Sequence, residues 1–492
     1  MNPATPSPTQ KLPLYKVIAF VLCVLAYLLV KFFYHELWKD EWQAWLVARD
    51  LGWSQLFGFL YYEGHPALWY LYLKCWTLLP AATDEATILQ IAHALPALAF
   101  YYLLFFRFRL PLLLCIGLFG SYLFFFEYGL INRGYIWVML LAGFTTLMVQ
   151  QPPKYPIALP LTLFALCQTE VYGLIMAGAF MLYLLLGDYL KHRQLGKLFR
   201  TKHLQSAALG LGLGLLVFVA TVYPRGSSEE ELSRAYLDQP FSAAVAAKAF
   251  QGSLANTYCL GLLPDTNIEG TSAFGLLLSL LVLAALCWFF WADKRLLLTF
   301  LAFTLVLYLF LISIYTGGVR QWGMAFVFFV CCLSLWMDRQ GGFKPFQYAI
   351  LGLFLVGQLW HCGRALLKEY RHPFSNAIYA GEFIKEKVPA TVPIVAINKF
   401  EAAPVSGYAG RPFYELPDGK PFTYFKWLEK VYLPPEAELA LFAKYKKTKG
   451  LIVLTHQPVD PKRYPNLRLW EQFDRYSFKN ESYYLYVLER ND

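Results

Sequence analysis

The residue types best suited to acid–base chemistry stand next to the first apolar run of the chain. Residues 35–45 contain two adjacent carboxylates, Asp40 and Glu41, among a histidine and three tryptophans. Residues 63–70 place His65 directly before the next apolar run. A carboxylate can accept a proton or orient a nucleophile, and an imidazole can do so near neutral pH. The pattern predicts a catalytic loop at a membrane boundary, where a lipid-borne substrate presents its polar end.

Helical periodicity separates the two carboxylates. A helix over residues 38–49 would place Trp38, Trp42 and Trp45 on one face, with Asp40 roughly opposite. Adjacent residues do not share a helix face, so one carboxylate rather than a side-by-side pair would face a reacting atom. The tryptophans are predicted to anchor this helix in the interfacial belt of the membrane.

The same residues also fit a purely structural role. Asp40 followed by Gln43 has the spacing of an N-terminal capping box, and Glu41 in the first turn would favour the helix dipole. If Asp40 is to act as a base, burial or the neighbouring Glu41 has to raise its pKa, because an unperturbed aspartate is a weak base. Catalysis by orientation would not need that shift.

Five further residues flank apolar runs and are candidates for substrate binding: His65, Glu127, Arg133, Glu170 and Arg320. The two arginines could neutralise a phosphate through the planar fork of guanidinium donors. Four of these residues also have a structural interpretation. The arginines could anchor the ends of membrane helices, the histidine could be an interfacial hydrogen-bonding group, and Glu170 could mark a turn. Glu63 is interpreted as a solvated loop residue.

No metal site is predicted. The nine cysteines are scattered through apolar runs without CxxC spacing, and no histidine pair has the spacing of a zinc protease. The carboxylates near Asp40 are too few for a hard-cation site, so a divalent cation is not indicated and no cofactor is expected.

Composition points to a polytopic α-helical membrane protein. Of the 492 residues, 58% are hydrophobic and only 15% are charged. Twelve apolar runs between residues 12 and 363 predict about 11–13 membrane helices, each needing about 20 residues to cross. The first run, from about Leu12, should remain as an uncleaved anchor. The net charge of +10 fits basic cytoplasmic loops in an integral membrane protein, so nucleic acid is not an expected partner.

Basic clusters orient the predicted helices. Residues 191–202, 293–295 and 339–344 are assigned to the cytoplasm, together with Lys11 and Lys16. This places residues 34–65, 127–133, 225–271 and 315–322, with the region of Glu170, on the outer side. Arg107 and Arg109 conflict with that count unless the run at residues 66–80 is tilted, partial or re-entrant.

Two domains are expected. Residues 1–363 form the membrane domain, with external loops at 34–65 and 225–271, and residues 364–492 form a small soluble extracytoplasmic α/β domain. Within the second domain, residues 393–398, 450–456 and 483–489 are predicted strands, and residues 375–387 and 436–447 are predicted helices.

The motifs resemble a known superfamily. An acidic pair after the first span, Asp40-Glu41, then a tryptophan-rich segment, then the run from Gly64 to Tyr70 opening the second, is similar to the C-type glycosyltransferase (GT-C) superfamily. The resemblance is to the branch with protein O-mannosyltransferases and lipid A aminoarabinose transferases. Ala67 departs from the His-Pro-Pro of many relatives, and Glu170 stands where some have histidine.

The resemblance implies an enzyme of the bacterial cell envelope. A sugar would move from a polyprenyl-phosphate donor to a glycan, lipid or protein acceptor on the outer face, with inversion of configuration. The resemblance assigns Asp40 as base or orienting carboxylate, with Glu41 as its neighbour. It places His65 at the mouth of the active site and Arg133 and Arg320 near the donor phosphate.

Two other function classes compete with this one. A polytopic transporter or lipid flippase would show repeated halves and ionisable residues near the membrane midplane. The sequence has no repeat, and its charges crowd one side. A non-catalytic envelope-assembly component would use the C-terminal domain to bind a partner, but the clustered external motif argues against it.

Overall fold

The structure is a computed structural model. It describes residues 12–79, 84–193, 201–223, 241–262, 270–415, 419–427, 451–462 and 464–489. The predicted helix at residues 436–447, Lys11 and most of the predicted basic loop at 191–202 lie outside these ranges.

A bundle of apolar helices forms most of the molecule. Eight helices in the described ranges are long and apolar enough to cross a membrane: Leu14–Phe33, Glu85–Arg107, Val171–His192, Lys202–Val222, Ala273–Phe290, Lys294–Ser313, Val319–Gln340 and Pro345–Arg371. A ninth span is formed if Leu112–Phe119 and Tyr122–Leu130, bent by 48°, cross as one unit. Shorter apolar helices are Tyr135–Gln150 and Ala158–Cys167. The chain is a multi-pass membrane protein.

The conflict over Arg107 and Arg109 is resolved by a short helix. The run at residues 66–80 contains only the nine-residue helix Leu68–Trp76, roughly 14 Å long, which is too short to cross a bilayer. At the far end of the next helix, Arg109 pairs with Asp338 at 3.0 Å. Lys16 donates to the carbonyl of Leu110 at 3.0 Å. These basic residues therefore share one end of the bundle, as their charge predicted.

The predicted catalytic loop is helical. Its helices are Lys39–Asp50 and Trp53–Glu63, and the second ends at Gly64, whose φ of 67° terminates it. The tryptophan prediction was wrong, because Trp42 and Trp45 are each 1% exposed. Their rings pack inside the protein rather than in a membrane interface.

The C-terminal domain is a mixed sheet with helices. Its strands are β1 Ile394–Ala396, β2 Phe413–Glu415, β3 Pro421–Phe422, β4 Ile452–Thr455, β5 Leu467–Phe473 and β6 Tyr483–Leu488. The strand order is β3-β2-β1-β4-β6-β5, with β1 parallel to β2 and β4 and the other pairs antiparallel. The helices are Ala377–Lys387 and Lys399–Ala409.

Three predicted strands and one predicted helix of this domain are confirmed. β2, β3, β5 and the helix Lys399–Ala409 were not predicted. The predicted boundary after residue 363 falls inside a helix, since Pro345–Arg371 runs on without a break.

The C-terminal domain packs directly on the helix Lys39–Asp50. Trp42 packs edge-on against Tyr408 with ring centroids 4.9 Å apart. The Tyr408 hydroxyl accepts from the Leu37 amide at 2.7 Å and donates to the Leu37 carbonyl at 3.0 Å. The Phe425 carbonyl accepts a hydrogen bond from Gln43 Nε2 at 2.6 Å. The domain therefore fixes the position of the first-loop helix.

Short helices complete the described elements. Ala243–Ser253 and Ala255–Tyr258 lie within the predicted loop 225–271. The segment Tyr122–Leu130 is a nine-residue π-helix that carries Glu127, and π-helical turns often occur at functional sites.

Candidate active site

Asp40 lies in the first turn of the helix Lys39–Asp50, facing two arginines from distant segments. Arg133 donates from Nη1 to Asp40 Oδ2, and Arg320 donates from Nη1 to the same oxygen at 3.3 Å. Arg320 also donates from Nε to Glu127 Oε1 at 2.9 Å. Four predicted site residues therefore form one mostly buried group, which we call the ion cluster.

The cluster keeps Asp40 ionised. Burial alone would raise the pKa of the Asp40 carboxyl, but Arg133 and Arg320 outweigh burial and hold that pKa below its ordinary value. The raised pKa that Asp40 would need to act as a base is therefore not present in the unliganded protein, and catalysis by orientation does not need it. Asp40 is an anion at neutral pH with both nearby cations attached to one oxygen.

A small cavity of about 20 Å³ adjoins Asp40. It is lined by Asp40, Ala44, Glu63, His65, Trp69, Tyr70, Arg133, Gly134, Glu170 and Trp427. His65 Nδ1 lies 2.7 Å from Glu170 Oε2 on its wall. The volume holds about one water molecule, so a sugar could enter only if lining side chains moved.

Both carboxylate oxygens of Glu41 have hydrogen-bond partners within the protein. Its Oε1 accepts from the Asn132 amide and from Asn132 Nδ2, both at 2.6 Å, and lies 3.1 Å from His35 Nε2. Its Oε2 accepts from the Trp38 amide at 2.9 Å. Burial alone would raise the pKa of the Glu41 carboxyl. His35 and the hydrogen bonds lower that pKa by more than burial raises it, so the carboxylate stays ionised.

His35 connects Glu41 to a helix far along the chain. Its Nδ1 lies 2.5 Å from Oε1 of Glu369, a residue 334 positions later. Burial lowers the pKa of His35, but the two carboxylates raise it more strongly, to about 9. His35 is thus an imidazolium between two carboxylates, a role that sequence reasoning missed because Glu369 has no local signal.

Half of a capping box is present, and its members are not the predicted residues. Trp38 is the N-cap residue, and Glu41, three positions on, accepts from its amide. Asp40 and Gln43 do not form the box, so the capping assignment of Asp40 is wrong. Gln43 instead donates to Glu63 Oε1 at 2.7 Å.

Glu63 is not the solvated loop residue that was expected. Besides Gln43, it accepts from the Tyr70 hydroxyl at 2.8 Å and from Trp427 Nε1 at 3.2 Å. Burial raises the pKa of Glu63, and these hydrogen bonds offset that rise only in part. Trp427, which sequence reasoning missed, therefore brings the C-terminal domain to the cavity wall.

Lys479 is a second contribution of that domain. It lies in the turn between β5 and β6, and its ammonium nitrogen is 3.9 Å from the Trp38 ring centroid. Burial and the nearby Arg320 lower the pKa of Lys479 to about 8, against the opposing effect of Glu127 and Asp40. No sequence pattern distinguished this lysine from other turn residues.

A larger cavity of about 650 Å³ lies between the helix Lys39–Asp50 and the C-terminal domain. Arg49, Arg411 and Tyr424 are among its lining residues. It does not reach the ion cluster, since Asp40 is absent from its lining. In the described part of the chain, no three His, Cys, Asp or Glu side chains are grouped as metal ligands.

Comparison with known proteins identifies the fold. No protein-family model matches the chain, and no curated protein sequence matches it. ArnT from Cupriavidus metallidurans bound to undecaprenyl phosphate is similar in structure, with a TM-score of 0.60 and 11% identity. The alignment covers 96% of this chain and 98% of ArnT. This chain has the GT-C fold.

Other solved structures are similar to differing degrees. Apo ArnT from the same organism aligns with a TM-score of 0.59 and 13% identity over 96% of this chain and 98% of that one. The apo oligosaccharyltransferase from Archaeoglobus fulgidus has a TM-score of 0.42 and 12% identity over 81% of this chain and 64% of that one. The GT-C fold predicted from the motif around Asp40 is confirmed, including its small C-terminal domain with a sheet.

Proposed function

We propose that this GT-C protein transfers a sugar from a polyprenyl-phosphate donor to an acceptor on the outer face of a bacterial cell membrane. The observation that carries the proposal is the placement of Asp40 between Arg133 and Arg320 at one end of the bundle. That arrangement combines a group able to receive a proton with two groups able to receive a phosphate. ArnT, whose structure aligns along nearly the whole chain, is bound to undecaprenyl phosphate in one state.

The arginines are the proposed donor-phosphate ligands. Guanidinium groups bind phosphate oxygens through parallel N–H donors. Here Arg133 and Arg320 share Asp40 Oδ2, so a phosphodiester entering the site would compete with Asp40 for them. A guanidinium that turns from Asp40 towards the phosphate would lower the pKa of Asp40 less than before. Donor binding would thereby make Asp40 a better proton acceptor.

The proposed chemical step is a single displacement. The acceptor oxygen or nitrogen forms a bond to the anomeric carbon, and the bond from that carbon to the phosphate oxygen breaks. The electron pair leaves on the phosphate, facing the arginines, and the acceptor proton passes to Asp40. Attack opposite to the leaving phosphate inverts the configuration. Proton removal and charge stabilisation of this kind contribute factors of about 10² to 10⁴ each.

The remaining predicted residues would serve the site in two ways. His65 and Glu170, joined at 2.7 Å, are proposed to contact the sugar or acceptor from the cavity wall. Glu127 and Glu41 are proposed to act as positioning residues. Glu127 holds Arg320, and Glu41 holds the segment that carries Arg133 through Asn132.

The test uses purified full-length protein with a panel of polyprenyl-phosphate sugars and candidate acceptors. Release of polyprenyl phosphate and transfer of the sugar are measured for the wild type and for Asp40→Asn. Asparagine keeps the size of the side chain but loses the negative charge and the basic oxygen. We expect kcat to fall by a factor of about 100 or more, with folding checked by thermal unfolding.

Asp50→Asn is the matched control. It makes the same chemical change on the same helix, at a half-exposed carboxylate paired with Arg49, and should keep near-normal turnover. Equal turnover of a folded Asp40→Asn variant would refute the assignment of Asp40. Movement of lipid across the bilayer without sugar transfer would favour the flippase class instead.

A further inference from the structure

The turn that carries Lys479 is fixed against the segment that directly follows the helix Pro345–Arg371. The Lys479 amide donates to the Phe374 carbonyl at 3.1 Å, and the Phe478 amide donates to the Pro373 carbonyl at 2.8 Å. Asn480 completes the turn in the left-handed region, with φ of 53°, a conformation that asparagine tolerates better than most residues. The backbone therefore holds the Lys479 side chain in a defined position at the edge of the site.

That side chain points over aromatic rings towards the ion cluster. Its ammonium nitrogen lies 3.9 Å from the Trp38 ring centroid and 5.2 Å from that of Phe374. The Arg320 guanidinium carbon lies 5.7 Å from the same Trp38 ring. Among the described residues, the Lys479 ammonium has no carboxylate ion-pair partner. Cation–π contacts with these rings stabilise the mostly buried charge, which lies beside another cation.

The charges of the ion cluster leave Lys479 without a carboxylate partner of its own among the described residues. Arg133 and Arg320 are balanced by Asp40 and Glu127, to which they are hydrogen bonded. Lys479 adds one positive charge with no carboxylate of its own. A buried uncompensated charge is costly unless an opposite charge joins it. A phosphodiester brings one negative charge, which would give the Lys479 ammonium an anionic partner.

We propose that Lys479 of the C-terminal domain binds the phosphate of the lipid donor together with Arg133 and Arg320. This inference rests on the proposed function, since it names a further ligand of the same donor. It gives the C-terminal domain a direct part in donor binding. The competing explanation is that Lys479 only covers the aromatic rings with its aliphatic stem.

The proposal predicts a specific pH dependence. The groups that face Lys479 are Arg320, Glu127, Asp40 and Glu41, and the carboxylates stay ionised well above neutral pH. As the pH rises through about 8, the free protein loses the Lys479 charge. Binding of an anion favours the charged form, so affinity for phosphate should weaken above that pH.

The experiment measures binding of radiolabelled undecaprenyl phosphate to the full-length protein in detergent, at about pH 7 and about pH 9.5. Lys479→Met keeps an unbranched apolar stem but removes the charge, and Lys479→Arg keeps a charge that does not titrate in this range. The exposed Lys385→Met, in the helix Ala377–Lys387, is the matched control.

We expect Lys479→Met to weaken binding about tenfold at pH 7, the size of one lost charge-assisted contact. Wild type and Lys385→Met should weaken between the two pH values, while Lys479→Arg should bind equally at both. Donor KM in the transfer assay should follow the binding constants, with kcat changed less.

The outcomes separate the two proposals. If wild type binds undecaprenyl phosphate and folded Lys479→Met binds it equally well at both pH values, the Lys479 assignment is wrong and the proposed function stands. If wild type binds no undecaprenyl phosphate and transfers no sugar, the proposed function itself is wrong. Thermal unfolding of Lys479→Met and Lys479→Arg shows whether either substitution disturbs the fold.

Discussion

Glu41 and Asn132, 91 positions apart in the sequence, are joined by two hydrogen bonds of 2.6 Å to the same carboxylate oxygen. The residue before Glu41 is Asp40, and the residue after Asn132 is Arg133. The contact between Glu41 and Asn132 therefore sets the separation at which Asp40 meets Arg133. Two neighbouring pairs, one structural and one at the candidate active site, bridge the same two segments.

Glu41→Gln tests this positioning role. Glutamine can keep one acceptor oxygen but removes the negative charge that faces His35 and three amide donors. Breaking a buried charge pair from one side costs about 3–5 kcal/mol, and we expect the free energy of unfolding to fall by that order. In the transfer assay, activity should fall because Arg133 and Asp40 are no longer held in register.

The control for that change is Glu489→Gln, at an exposed carboxylate paired with Arg468 at 2.6 Å. Such pairs contribute about 1 kcal/mol or less, so stability and turnover should stay close to wild type. Wild-type stability and turnover in Glu41→Gln, measured by chemical unfolding and kinetics, would show that the contact with Asn132 is dispensable.

Arg320→Gln should change how activity depends on pH. Arg133 and Arg320 hold the pKa of Asp40 below its ordinary value, so Asp40 loses its charge only in strongly acidic solution. Removing one guanidinium should raise that pKa, because one of the two cations that lower it is lost. The acid limb of the pH profile of kcat/KM, which reports the free enzyme, should therefore move to higher pH, in addition to weaker donor binding.

Arg468→Gln serves as the control, because its ion pair with Glu489 is exposed on the C-terminal domain. Its profile should match wild type. An acid limb that stays in place in Arg320→Gln would mean that Asp40 does not govern the acidic side of the reaction.

His35 should make stability fall in alkaline solution. Its folded pKa of about 9 exceeds the ordinary histidine value of about 6.5. Its contribution is thus complete below about pH 6.5 and lost as the pH rises through about 9, a change of about 3 kcal/mol at 1.36 kcal/mol per unit. Unfolding free energies should be measured across this range for wild type and His35→Asn.

The difference between these two proteins isolates the histidine from other groups that titrate, such as Lys479. We expect the difference to be largest near pH 6 and to shrink towards pH 9.5. A difference that is constant with pH would mean that His35 is not charged in the folded protein.

Much of the candidate active site was predicted from local sequence patterns. Asp40, Arg133 and Arg320 were predicted because each stands at the end of an apolar run on the same inferred side, and a charge there needs a reason. The hydrogen-bond pairing within the ion cluster could not be predicted, because which carboxylate oxygen contacts which guanidinium depends on how each helix is rotated. For the same reason the capping interaction was assigned to Asp40 and Gln43, whereas the Trp38 amide donates to Glu41.

Other parts of the site had no local signal. Trp42 and Trp45 match an interfacial belt by composition, but Trp42 is buried against Tyr408 of the C-terminal domain and Trp45 donates to Glu85 at 2.8 Å. Trp427 and Lys479 come from that domain's loops, where periodicity is absent and contact partners lie hundreds of residues away.

By itself, the sequence determined the membrane class, the grouping of basic residues at one end and the acidic motif at the other. These follow from hydropathy and charge, which act on each segment separately. Only the tertiary structure decided that Asp40 is an anion held by two arginines, that Glu41 is saturated by Asn132 and His35, and that Lys479 faces the cluster. Those features depend on the distance and burial of groups far apart in the chain, and such electrostatic effects are set by packing rather than by residue type.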